Sequence, residues 1–173
     1  MPVTVSDDGS VYTLSNGFVS ASVDKESGDL VSLKYQGLEM MGGTTGHPHG
    51  YWSHTPARGK STAQLSIDPK SNNGARGEVS VRGKVSKGGA GGGDGLDLEI
   101  RYALGQADSG IYTYSIFTHA PDAPATQIGE ARFAAKLTAD LFDFMTVDAR
   151  RRKLMPTSDD CEKGTELNMK EGR

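Results

Sequence analysis

"LDLEIRYAL", residues 96–104, decides the fold. Leu96, Leu98, Ile100, Tyr102 and Leu104 alternate with Asp97, Glu99 and Arg101, and a period of two sends the apolar set to one face and the charged set to the other. Such a strand sits half-buried in an antiparallel sheet. Moving outward, "VYTL" (11–14), "NGFVSASVD" (16–24), "GDLVSLKYQGLEMM" (28–41), "TAQLSID" (62–68), "ARGEVSVRGKVS" (75–86) and "GIYTYSIFTH" (110–119) carry the same alternation or β-branched and aromatic enrichment. Asn-Gly, Ser-Gly and Gly-rich breaks separate them, and "KESGD" (25–29) reads as a tight hairpin turn. Short strands at regular spacing predict an all-β sandwich or barrel. "ADLFDFMTVD" (139–148) fits a helix through Leu141, Phe144 and Met145 and a strand through Phe142, Phe144 and Val147, so it stays open. "KGGAGGGDG" (87–95) reads as a flexible surface loop, because a phosphate cradle needs a lysine and hydroxyl that do not follow it.

Composition sets the bounds. At 173 residues the chain is one domain or a large part of one. Hydrophobic content of 35% and mean hydropathy of -0.48 suit a globular protein, and no run has the apolar length of a membrane span. A formal net charge of -3 gives no indication of a nucleic-acid or anionic-membrane partner. The basic run Arg150-Arg151-Arg152-Lys153 is short and reads as a solvated turn. A single cysteine, Cys161, rules out an internal disulfide. The start "MPVTVSDDGS" has neither a basic end nor an apolar segment, so no secretory signal is expected in the chain as given.

Two stretches carry candidate chemistry. "GHPHGYWSHTPARGKS" (46–61) gathers His47, His49 and His54 around Trp52, the lone tryptophan. Three imidazoles suit a zinc shell, but His47 and His49 flank Pro48 without the i, i+4 spacing that aligns two ligands, so no metal is expected. A phosphate loop ending in Gly59-Lys60-Ser61 needs glycine where His54 stands. What remains is a wall for a sugar ring or partner, with Tyr51 and Trp52 as apolar platforms and His49 or His54 as donors. The other reading makes Trp52 core filler and the stretch a loop of solvated histidines. In "QIGEARFAAKL" (127–137), a strand puts Phe133, Ala135 and Leu137 on the core face and Glu130, Arg132, Ala134 and Lys136 on the other. Arg132 and Lys136 with small Ala134 between them suit an extended acidic ligand, since arginine's planar fork binds both oxygens of a carboxylate. The competing reading pairs these charges across strands on a solvated face.

From end to end the chain resembles the N-terminal part of rhamnogalacturonan lyases of polysaccharide lyase family 4. The resemblance rests on "YTLSNGFVSASVDKESGDLVSLKYQGLEMM", "GHPHGYWSHTP", "RYALGQADSGIYTYSIF", "GEARFAAKL" and "LMPTSDD...GTELNMKE", in the family's order and at roughly its spacing. It implies an antiparallel β-supersandwich of the galactose-mutarotase-like type, here residues 1–173 of the catalytic domain, incomplete at the C-terminus. The implied chemistry is β-elimination at a galacturonate of the rhamnogalacturonan I backbone, an acidic polysaccharide, without a cofactor. An extracellular monomer is expected. The family's carboxylate-binding arginine falls in "GExRF", which is "GEARF" here and gives Arg132; Lys136, Tyr51, Trp52, His49 and His54 are expected to bind substrate. The family's base is a lysine in a "KY.YS" segment, followed by a histidine, and both fall past Arg173. Lys170 matches the "KE" lysine instead, and Gly172 stands where alanine is common. The 173-residue chain alone is therefore expected to form no unsaturated uronate. The alternative is a non-catalytic carbohydrate-binding or vestigial module.

Overall fold

The computed structural model describes residues 1–43, 46–55, 57–85 and 95–164. Lys170, Gly172 and nearly all of the glycine-rich run 87–95 lie outside them. The chain divides into two units, Met1–Thr138 and Ala139–Arg173. The first holds β1 (Thr4–Asp7), β2 (Val11–Ser15), β3 (Val19–Asp24), β4 (Leu30–Tyr35), β5 (Leu38–Glu39), β6 (Gly50–Thr55), β7 (Arg58–Ile67), β8 (Arg76–Val85), β9 (Leu96–Gly105), β10 (Tyr112–His119) and β11 (Glu130–Ala135). The second holds β12 (Phe144–Thr146), β13 (Arg152–Leu154) and one helical turn, α1 (Ser158–Lys163), which starts at a Thr157–Asp160 capping box.

Two antiparallel sheets make the first unit a β-sandwich. One runs β1-β2-β3-β4-β6-β11, with β5 folded back on β4; the other runs β10-β9-β8-β7. Alternation decides which residues meet between them. Leu14, Val19, Ala21, Val23 and Leu30 of the first sheet pack against Val79, Val81, Ile100, Tyr102 and Leu104 of the second, all essentially inaccessible to water. Leu96, Leu98, Ile100, Tyr102 and Leu104 all face inward, as their spacing requires. Two polar side chains cross the apolar layer. The Tyr102 hydroxyl donates to the Gly28 carbonyl at 2.8 Å, in the β3–β4 turn. Asn16, fully buried, donates through Nδ2 to the carbonyls of Gly105 (3.0 Å) and Asp108 (2.8 Å), while its Oδ1 accepts from the Phe18 and Val19 amides.

The β3–β4 connection is the expected hairpin turn: Gly28 adopts φ +75, its amide reaches the Asp24 carbonyl, and Asp24 Oδ1 accepts from Glu26 and Ser27. Residues 139–148 resolve toward the strand, since Phe144–Thr146 pairs with Arg152–Leu154. Half of the basic run is the expected turn, with Asp148 accepting from the amides of Arg150 and Arg151, while Arg152 and Lys153 belong to β13. One expectation is corrected: within the stretch read as a loop, Gly50–Thr55 is a strand, paired in register with β11 from Thr55↔Glu130 to Gly50↔Ala135. Flanking glycine and proline disguised it, while Tyr51 and Trp52 supply the strand preference. Toward β4, β6 makes a single pair, Leu30↔Gly50, and then diverges.

On the outer face of the four-stranded sheet, Glu78 is 1% exposed yet fully engaged. It accepts from Ser66 (2.8 Å), Arg76 (3.0 Å), Arg101 (3.0 Å) and Tyr114 (3.0 Å). Desolvation pushes its pKa up, but the donors from Ser66, Arg76 and Tyr114 and the charge of Arg101 outweigh it and leave the carboxyl below its ordinary value. A depressed folded pKa stabilises the fold above the unfolded value of about 4.5, and that contribution is lost as pH falls through the folded value. Thermal unfolding midpoints are therefore expected to drop on acidification below about pH 4.5, with a shallower drop in Glu78→Gln; an unchanged slope in that variant would assign the acid sensitivity elsewhere.

Candidate functional site

Strand pairing builds the site. On β6 the parity is fixed by Gly50, whose missing side chain admits Leu30, Met41 and Phe133 from the core, so Gly50, Trp52 and His54 face inward and Tyr51, Ser53 and Thr55 outward. On β11, Phe133 packs on the core beside Trp52, and Glu130, Arg132 and Ala134 face outward opposite Thr55, Ser53 and Tyr51. The strand ends at Ala135; Leu137, read as a core residue, is 42% exposed and bridges Met41.

The outer face thus brings together Arg132, Ala134 and Tyr51. Arg132 and Tyr51 are diagonal neighbours of an antiparallel pair, about 7–8 Å apart at the backbone. Arg132 is 65% exposed and lies 2.9 Å from Glu130 Oε1, an i, i+2 ion pair along one strand instead of the cross-strand pair considered from sequence, though that buried oxygen accepts no well-aligned hydrogen bond among the described residues. Lys136 continues the column just past the strand. Its amide donates to the His49 carbonyl at 2.9 Å, and its side chain packs on Gly43 with Nζ beside Gly46. His49 itself takes φ +64, and its buried Nδ1 finds no hydrogen-bond partner among the described residues.

His47 also belongs to the site, although the sequence gives it no place among the expected substrate ligands. Its ring stacks on Tyr51 with centroids 4.0 Å apart, and Nε2 lies 2.7 Å from Asp29 Oδ2. Asp29 comes from the end of the β3–β4 turn, where the Asp24 carboxyl is held below its ordinary value first by the Ser27 amide. That turn, His47 and the open flank of β6 enclose a cleft of about 390 Å³, lined by Asp29, His47, Tyr51, Trp52, Ser53 and His54 among others. The cleft exists because β6 leaves β4 after one pair, so no neighbouring strand covers its edge.

Tyr51 and Trp52 both reach this cleft, but from opposite faces of the strand. Trp52 packs on the core cluster and Phe133, and its Nε1 donates to Thr113 Oγ1 of the other sheet at 2.8 Å. His54, 8% exposed, lies parallel to Trp52 and edge-on to Phe117. Trp52 and His54 are thus built into the sandwich and show the cleft only a margin, whereas Tyr51 offers it a ring. The site holds an arginine fork, a second cation, an aromatic ring and an imidazole tied to a carboxylate, the parts that a sugar acid needs.

The sequence profile described as the Rhamnogalacturonate lyase family matches residues 2–172. No curated protein matches the chain.

Proposed function

This chain belongs to the rhamnogalacturonate lyase family, and from that premise we propose that it contributes the uronate-binding part of a β-eliminating pectin lyase. The supporting observation is Arg132 and Ala134 on the outer face of β11, opposite Ser53 and Tyr51, with Lys136 just past the strand's end. Two cations flank a small residue, and an aromatic ring stands opposite that gap. A galacturonate ring laid on Tyr51 sets its carboxylate toward the Arg132 fork, where both oxygens are bound.

The chemistry follows from the acid. The proton on C5 lies α to a carboxylate, whose charge opposes carbanion formation. Neutralising it, and holding the enolate-like charge that grows on its oxygens, lowers the barrier. A base takes that proton, the C5 electron pair forms the C4–C5 double bond, and the C4–O bond to the preceding rhamnose breaks with its electrons on the leaving oxygen, which then takes a proton. Arg132 serves the carboxylate and takes no proton. Its ion pair with Glu130 does not block that role, because the guanidinium is exposed and makes no well-aligned hydrogen bond to Glu130 Oε1, and a surface ion pair is worth only about 0–1 kcal/mol. Lys136 adds to the local field, and His47, tied to Asp29, is placed to donate to a sugar hydroxyl. Within the same proposal the sandwich belongs to the galactose-mutarotase-like supersandwiches, residues 1–173 are part of a catalytic domain, and the protein acts as an extracellular monomer.

A second reading, a non-catalytic carbohydrate-binding module, draws on the exposure of Arg132, since catalytic electrostatics gain most in a water-excluded site. A rhamnose–galacturonate oligosaccharide is expected to bind the chain on the order of tenfold more tightly than its carboxyl methyl ester, as one charge-assisted contact is lost. Equal affinities would sink the carboxylate role of Arg132. Unsaturated uronate formed by a protein that carries this domain together with the family's lysine and histidine favours the lyase, and binding without product by that protein favours the module.

A further inference from the structure

The outer face of the four-stranded sheet has no role in the site described above. Strand register arranges its side chains in rows: Thr62–Arg82–Glu99–Ile116 across the four strands, and Lys84–Asp97–Thr118 one step along. A cleft of about 550 Å³ opens there, lined by Lys60, Thr62, Arg82, Lys84 and Thr118 with Asp97 and Glu99. Its charges are unequally engaged. Glu99 is saturated by Ser80 (2.6 Å), Arg101 (2.7 Å) and Arg82 (3.2 Å), and burial, which raises its pKa, is outweighed by these donors. Glu78 is likewise consumed by its four donors. Lys60 and Lys84, both exposed, make no ion pair among the described residues, and neither does Asp97, which stands opposite Lys84.

The cleft therefore carries two uncommitted cations, Lys60 and Lys84, against Asp97, with Arg82 and Glu99 paired to each other, on a chain whose formal net charge is -3. Toward the other end of the same face, β10 presents Tyr112 and Tyr114, 63% and 37% exposed. Two residues apart on one strand, their Cα atoms lie about 7 Å from each other. Tyr114 is fixed through its hydroxyl to Glu78. From Thr118 to Tyr112 the face runs about 20 Å along the strand. Cations and hydroxyls at one end and aromatic rings at the other match a polymer that alternates carboxylates with apolar ring faces. A phosphate polymer, with a charge on every unit, meets Asp97 and the overall negative charge.

We propose that this face is a second binding surface for acidic oligosaccharide, gripping uronate carboxylates through Lys60 and Lys84 and stacking sugar rings on Tyr112 and Tyr114. It rests on the pectic substrate class inferred above and adds a surface on the other sheet. The test titrates the whole chain with a rhamnose–galacturonate oligosaccharide while backbone amide shifts are followed. Shifts are expected in β8–β10 as well as β6 and β11, and those in β8–β10 persist in Arg132→Ala. The Lys60→Ala/Lys84→Ala double variant is expected to lose affinity at this face on the order of tenfold, with its unfolding midpoint unchanged because both side chains are exposed. Shifts confined to β6 and β11, or wild-type affinity in the double variant, overturn the second surface and leave the first standing. No shifts anywhere overturn both, and equal binding of dextran sulfate, a polyanion without carboxylates, overturns the assignment to uronates in favour of a general anion sink.

Discussion

Arg132→Ala, in a lyase that carries this domain and turns over rhamnogalacturonan, is expected to lower kcat by on the order of a hundredfold or more while weakening polymer binding far less. The asymmetry follows from where the charge grows. The carboxylate carries one negative charge in the ground state, shared with many other contacts along the polymer, but its oxygens take up more as the C5 proton leaves. Arg132→Lys is expected to recover only part of the loss, since an ammonium cannot make the paired contact of a guanidinium. Lys136→Ala has the milder effect, because that side chain packs along Gly43 with its Nζ beside Gly46. Glu130→Gln, which removes the resting partner of Arg132, leaves turnover near normal or raises it slightly. If Arg132→Ala instead kept normal turnover and only lowered the unfolding temperature, Arg132 would be a structural residue and its assigned role wrong.

Asn16→Ala is expected to cost about 3 kcal/mol of stability without touching either binding face. The side chain satisfies four backbone groups at once: the Phe18 and Val19 amides beside it and the Gly105 and Asp108 carbonyls of the opposite sheet. Alanine removes all four bonds: the fully buried Val19 amide loses this acceptor, the part-buried Phe18 amide and Asp108 carbonyl lose theirs, and the Gly105 carbonyl keeps the Asp108 amide, at about 1–3 kcal/mol for a buried orphan before water or local shifts recover part of it. Denaturant unfolding would register this as a lower midpoint with an unchanged slope. A change below about 1 kcal/mol would mean the two turns hold together by other contacts.

Asn16 also marks the limit of what a sequence discloses. Followed by glycine between two alternating runs, it reads as a turn residue, and it is one. Its other duty lies 89 and 92 residues away, at Gly105 and Asp108, where no local pattern leads. The strands themselves were legible because burial on one face imposes a period of two, and Leu96 to Leu104 show it without interruption. Arg132 was legible for the same reason, since parity alone set it on a face with Ala134 and opposite the core side chain of Phe133. The strand Gly50–Thr55 was not, because its brevity, its flanking glycine and proline and its histidines gave the composition of a loop. Once it is a strand, Tyr51 and Trp52 must part to opposite faces, a consequence hidden while they were read as one platform. The His47–Asp29 contact was invisible too, because it depends on a turn bringing residues 18 apart in sequence into one cleft.

The single Leu30↔Gly50 pair gives the β6–β11 ribbon the mechanics of a lever. Its other ties to the sheet cluster at the same end: Met41 bridges Leu137, and Gly42 bonds Lys136 and His49. That end is the fulcrum, packed so closely around Gly50 that a methyl group there would meet Leu30 and Met41 at 3.1 Å. At the far end, near Thr55 and Glu130, no ladder restrains the ribbon on its β4 side, so a small rotation at Gly50 becomes a larger sweep at Arg132 and a change in the width of the cleft. What stiffens the arm is the bond from Trp52 to Thr113, a stay rigged across the sandwich about midway along it. The lone tryptophan thereby ties one wall of the cleft to the opposite sheet.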